Sequence, residues 1–119
     1  MTTITISIEG MRLGAALNAR VHWTRRAARA KKERAIVAVA LRQRVGQDDV
    51  PTICTLARVA PRALDDDNLQ GAFKAIRDEV AAFFGVDDGP KGPIAWRYEQ
   101  RKGAPKQYAV EIRLAWGDE

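Results

Sequence analysis

Residues 108–116 alternate without a break. Tyr108, Val110, Ile112, Leu114 and Trp116 stand against Ala109, Glu111, Arg113 and Ala115. Successive side chains of a strand point to opposite faces, so this pattern describes a strand with one apolar face, and that face requires a partner layer. The same period recurs where Ile4, Ile6 and Ile8 alternate with Thr3, Thr5 and Ser7. It recurs again where Ile94, Trp96 and Tyr98 alternate with Ala95, Arg97 and Glu99. With Gly103-Ala104-Pro105 between the last two runs, residues 94–116 are predicted to form a β-hairpin. Pro51 opens a further strand over Thr52 to Ala60, rich in β-branched residues.

Two segments carry the helical period instead. Over 24–45, Thr24 is an N-cap, Gly46 a stop, and Ile36, Val37, Ala40, Leu41 and Val45 form an apolar stripe. Over 68–84 the stripe is Leu69, Phe73, Ile76, Val80 and Phe83/Phe84; Asp67 caps this helix with Gln70 three residues on, and Gly85 ends it. A glycine- and proline-containing turn covers 86–93. The predicted order is β-α-β-α-β-β. It describes a single α+β domain over 1–119, with one mixed sheet and two helices packed on it.

Composition removes several classes of function. There is no run of 18 apolar residues, so no membrane span is expected. Residues 1–8 lack the charged start and unbroken apolar stretch of a signal peptide, so a cytoplasmic location is expected. The one cysteine, Cys54, excludes an internal disulfide and reads as a small buried hydrophobe; the one histidine, His22, excludes a multi-histidine metal centre. No Walker A, G-x-G-x-x-G or G-x-S-x-G motif occurs. Any chemistry must rest on carboxylates.

Charge is segregated along the chain. The net charge is +5, yet residues 11–46 hold ten Lys and Arg against Glu33 alone, and residues 48–99 are net acidic. The block Arg20, Arg25, Arg26, Arg29, Lys31, Lys32 and Arg34 lacks the mixed signs of an ordinary solvated helix face. Phosphate binding explains such an imbalance, because Lys and Arg displace condensed counterions without reading bases. Arg97, Arg101, Lys102 and Lys106 would extend that surface. Trp96, Tyr98, Tyr108 and Trp116 read as core or dimer interface, while Trp23 and His22 are candidates for stacking and for phosphate contact.

The acids cluster in two places, Asp65-Asp66-Asp67 and Asp87-Asp88. A helix cap and the helix dipole account for one or two of the first three but not for all. Two readings are open: a pair of solvated acidic turns, or a site for a hard cation such as Mg²⁺, which takes oxygen ligands. In an extended segment Asp65 and Asp67 share one side, with Asp66 opposite. On a continuous helix, Gly71, Lys74 and Asp78 fall in line with Asp67. Lys74 then either faces the carboxylates or pairs with Asp78, and Asn68 either holds a ligand carboxylate or serves the cap.

The run Asp65-x-Asp67-Asn68-Leu69-Gln70, the amphipathic helix behind it, and Val86-Asp87-Asp88 together resemble the RusA-type Holliday junction resolvases. The resemblance is most specific over 64–88 and extends loosely along the chain through length, element order and the predicted C-terminal hairpin. It implies a Mg²⁺-dependent endonuclease, with Mn²⁺ able to substitute, that cuts four-way or branched DNA in recombination and repair as a homodimer. By motif position, Asp65, Asp67 and Asp88 match the essential metal-binding aspartates, Asp87 the companion acid and Asn68 the family asparagine, with Asp66 in support. Asn18 corresponds to a loop asparagine, although the prolines that commonly precede it are missing. Gly71 stands where the family usually has a catalytic lysine, and Lys74 lies one turn later. By that resemblance Asn18 is an implied DNA contact, and the charge imbalance adds Arg20, Arg25, Arg26, Arg29, Lys31 and Lys32 as candidate DNA contacts. The alternative is a DNA-binding module of the same fold with impaired catalysis.

Overall fold

The computed structural model describes residues 2–13 and 23–117. Asn18, Arg20 and His22 lie outside the described residues. The elements are β1 (Thr2–Glu9), α1 (Trp23–Arg44), β2 (Ile53–Ala60), α2 (Asp66–Ala72), α3 (Lys74–Phe84), β3 (Ala95–Lys102) and β4 (Ala109–Trp116). The class is α+β with one mixed sheet. Strands run in the order β1-β4-β2-β3, with β4 antiparallel to β1 and β2, and β2 parallel to β3.

The even-numbered strand residues make the core. Ile6, Cys54, Leu56, Val110, Ile112 and Leu114 join Val37 and Leu41 of α1 and Phe73, Ile76 and Val80 of the second helical segment. Helices therefore cover one face of the sheet. On the other face β2 presents Thr55, Ala57 and Val59, all buried although no helix of the described residues covers them. Long side chains of the flanking strands close over these short ones. Arg113 reaches Glu99 at 3.0 Å, and Arg101 pairs with Glu111. That bond holds the Glu111 carboxyl below its ordinary range and Arg101 above its own.

The expected hairpin over 94–116 does not form. β2 sits between β3 and β4 and bonds to both. The reason lies in β2, which is buried on both faces and so takes the centre of the sheet. The two-strand step from β3 to β4 is about 10 Å. Residues 103–108 make it over the end of β2, where the Gly103 N–H donates to Ala60 O at 2.9 Å. A Cβ at Gly103 would meet Val59 and Gln107 at 3.0–3.2 Å, so a side chain at this crossing would have to push its neighbours aside.

The expected single helix over 68–84 is two helices. They meet at Phe73, whose backbone leaves helical geometry (φ −91°, ψ 0°) while its ring is fully buried beside Tyr98, 6.0 Å between centroids. Gly71 weakens the last turn of α2, and anchoring Phe73 in the core redirects the chain there. The stripe expected on a continuous helix is therefore interrupted between Gly71 and Lys74. The cap also moves: α2 is capped by Asp65, not Asp67, and its side chain accepts the Asn68 N–H at 2.9 Å. Asp66 and Asp67 instead occupy the first turn, where the helix dipole favours acids. Finally, α1 begins one residue before Thr24, at Trp23.

Candidate metal centre and nucleic-acid surface

One face of β3 holds both acidic motifs. Trp96, Tyr98 and Gln100 point to the helix side of the sheet at alternate positions, spanning about 13 Å. Gln100 clasps Leu64, the residue before the aspartate run: its Nε2 donates to Leu64 O at 2.7 Å and its Oε1 accepts the Leu64 N–H at 3.0 Å. An amide side chain that satisfies both backbone groups of one residue fixes that residue's position and orientation. The chain then turns into α2 with Asp65, Asp66 and Asp67 exposed.

Tyr98 and Trp96 hold the second motif through Arg77, a residue that sequence reasoning did not single out. Arg77 lies on α3 with its guanidinium over the Trp96 ring, 4.8 Å from the centroid. Its Nη1 donates to the Tyr98 hydroxyl at 2.9 Å, its Nη2 donates to the Asp88 carbonyl, and its Nε lies 3.6 Å from Asp88 Oδ2. Asp87 stays local, its Oδ1 accepting the Gly89 N–H at 3.0 Å. A Cβ at Gly92 would overlap the Asp87 carbonyl oxygen, so the turn carrying both acids requires glycine there. No signal in the sequence marks Arg77, because the helical period leaves its half-buried position undecided.

Lys74 takes the local option: its Nζ lies 3.4 Å from Asp78 Oδ2, and its side chain is 78% exposed. Among the described residues, no group of three or more His, Cys, Asp and Glu side chains is placed to hold one metal ion together. The donors at both motifs are nonetheless oxygens alone, exposed at Asp65, Asp66, Asp67 and Asp87 and half-buried at Asp88. That suits Mg²⁺, which is usually bound through one or two carboxylates with water and substrate phosphate completing its shell.

The cationic block lies on the first half of α1, where Arg25, Arg26, Arg29, Lys31, Lys32 and Arg34 are all exposed. Arg34 bonds to Glu79 of α3 at 3.1 Å and Arg29 donates to Arg12 O at 2.8 Å. Trp23, at 68% exposed, stands at the start of the helix. Trp96, Tyr98 and Trp116 pack against the core as their alternation predicts. Cys54 is buried, and burial pushes its thiol up to about 12 against the opposing charge of Arg77, so it is not a nucleophile at neutral pH.

No family model matches the chain, and no curated protein matches it. Among solved structures it is similar to the GDP-form protofilaments of Bacillus thuringiensis serovar israelensis TubZ, with a TM-score of 0.49 at 8% identity. That likeness covers 95% of this chain and 25% of the other, so the chain spans about a quarter of that protein's length. A likeness this distant carries no functional argument. No helix of the described residues is long and apolar enough to cross a membrane.

Proposed function

We propose that this protein is a Mg²⁺-dependent, structure-selective endodeoxyribonuclease resembling the RusA-type resolvases, acting as a homodimer on Holliday junctions or other branched DNA. The observation that carries the reading is the anchoring of both acidic motifs to one strand face, Leu64 by Gln100 and Asp88 by Arg77 on Tyr98 and Trp96. Carboxylates that served only as solvated turns would not need such support. Clustering them costs repulsion, which a divalent cation relieves.

In this reading Asp65, Asp67 and Asp88 would hold the ion, with Asp87 accompanying them, once the two motifs draw together around it, since no three of these carboxylates share a site in the fold as it stands. When bound, Mg²⁺ supplies an activated water and stabilises charge on the phosphodiester being cut. The rest falls to the chain's own residues. Asp65 keeps its Oδ1 on the Asn68 N–H, which leaves its second oxygen to face solvent. Arg77 holds both the Asp88 carbonyl and its carboxylate, so an incoming ion would draw that carboxylate off the guanidinium. Lys74, released from Asp78, adds positive charge beside the scissile phosphate. The cations of α1 supply sequence-independent affinity. Two copies related by a two-fold axis would present two such sites to opposed strands of a junction.

A second reading is a junction-binding module of this fold with impaired catalysis. It is favoured by Gly71 in place of the usual lysine and by Lys74 being engaged with Asp78. Incubation with a mobile four-way junction and Mg²⁺ separates the two. Symmetric nicks from the wild-type protein, lost in Asp67→Asn, support the nuclease. Binding without nicks across Mg²⁺ and Mn²⁺ supports the module.

A further inference from the structure

The first half of α1 is built against its own stability. Within α1 only Val37 and Leu41 are buried, both in the second half. Between Trp23 and Arg34 every residue is exposed except Ala30 and Glu33, which are half-buried. The first turn holds no acid, so cations meet the positive end of the helix dipole. Arg25 and Arg29, Arg29 and Lys32, and Lys31 and Arg34 are like charges at spacings that face each other, a further cost. Glu33, the only acid there, lies 3.7 Å from Arg29 and offsets one charge. Ala27, Ala28 and Ala30 sustain the helix by propensity while adding no bulk. Glu33 and Glu79 offset only Arg29 and Arg34, so Arg25, Arg26, Lys31 and Lys32 remain a local excess of like charge, as a segment that serves an anionic ligand would carry.

The distribution of charge around the axis narrows the choice of ligand. At about 100° per residue, Lys32 and Arg25 lie in the middle of the side facing away from Val37 and Leu41. Arg29 turns to one flank and Lys31 to the other. A helix lying across a single strand needs cations on one side only. A helix in a groove meets phosphates on both walls. The exposed Ile36 (38%) and Val39 (45%) continue the same outward side and would give apolar contact on a groove floor, as thymine methyls accept. The alanines keep this half slender, and the B-form major groove, about 12 Å wide, admits a helix whereas the deep, narrow A-form groove does not.

We propose that the first half of α1, Trp23 to Arg34, lies in the major groove of B-form duplex DNA, with Lys31 and Arg29 on its two walls. This goes beyond the nuclease reading and rests only on its DNA-binding part.

Binding is measured by anisotropy with the full-length protein in EDTA, so that cleavage plays no role. Three probes of one sequence are used: a DNA duplex, the same duplex with glucosylated hydroxymethylcytosines filling the major groove, and the RNA duplex. The last two are expected to bind at least about tenfold more weakly. Ala28→Tyr keeps every charge but thickens the middle of the outward side, and is expected to lose about tenfold on plain DNA while Tm falls by no more than about 3 °C, as helix propensity alone requires. Arg25→Gln/Lys32→Gln is expected to lower the salt slope by about two. Equal binding of the three duplexes, or wild-type affinity in Ala28→Tyr, overturns the groove assignment. Absence of any duplex binding overturns it as well. Duplex binding in this pattern without junction cleavage in Mg²⁺ overturns the nuclease reading alone.

Discussion

Arg77 grips Asp88 twice, by the backbone carbonyl and by the carboxylate at 3.6 Å, while its guanidinium stacks on Trp96. The loop after α3 is thus tied to β3 through one side chain. Arg77→Met removes charge-assisted bonds to Tyr98 and Asp88 and is expected to lower stability by about 2–3 kcal/mol in urea unfolding. It also frees the Asp88 carboxylate. Added Mg²⁺ is therefore expected to raise the Tm of this variant more than that of the wild type.

Asp65 has two separable duties, capping α2 and carrying charge. Asparagine caps as well as aspartate does, so Asp65→Asn is expected to unfold within about 0.5 kcal/mol of wild type, whereas Asp65→Ala loses about 1 kcal/mol. Junction cleavage is expected to fall at least about a hundredfold in both. Cleavage retained by Asp65→Asn would reduce Asp65 to a cap.

The basic half of α1 sets stability against DNA affinity. Arg25→Glu puts an acid near the positive end of the helix dipole and relieves the repulsion with Arg29. It is expected to gain about 0.5–1 kcal/mol of stability and to bind duplex DNA more weakly. Raising NaCl is expected to raise the wild-type Tm by screening the same repulsion. The gain is expected to shrink in Arg25→Glu, as differential scanning calorimetry would report.

Cys54 reports on the core. Burial raises its thiol from an ordinary value near 9 to about 12, with the charge of Arg77 opposing. An unfolded thiol ionises first, so this group's contribution to stability is complete below about pH 9 and is lost as pH rises toward 12. Cys54→Ala is expected to flatten that alkaline decline. At pH 8 the wild-type thiol is expected to react with a disulfide reagent only after urea unfolding.

Much of the fold is legible along the chain. Period-2 runs place β1, β3 and β4 with the correct faces inward, because a strand's two faces are written in alternation. The stripe of Val37 and Leu41 finds the packed half of α1. Alternation says which face is buried but not which strand lies alongside. Residues 95–102 and 109–116 therefore read as a hairpin although β2 separates them. β2 takes the place between them with unbroken burial from Cys54 to Ala60, which belongs to the packed sheet and is not written in the spacing of its residues. The break at Phe73 was equally hidden, since its apolar spacing fits one straight helix.

For the candidate site, the sequence by itself determined the oxygen-only donor set, the two acidic motifs and the cationic block, because these are matters of residue type and spacing. Only the tertiary structure decided what supports them. The contacts of Gln100 with Leu64, 36 positions apart, and of Arg77 with Tyr98, 21 apart, follow from β3 docking parallel to β2 beneath α3. Such pairings depend on sheet order, which is settled by the burial of whole strands against one another and leaves no local trace in the residues that meet.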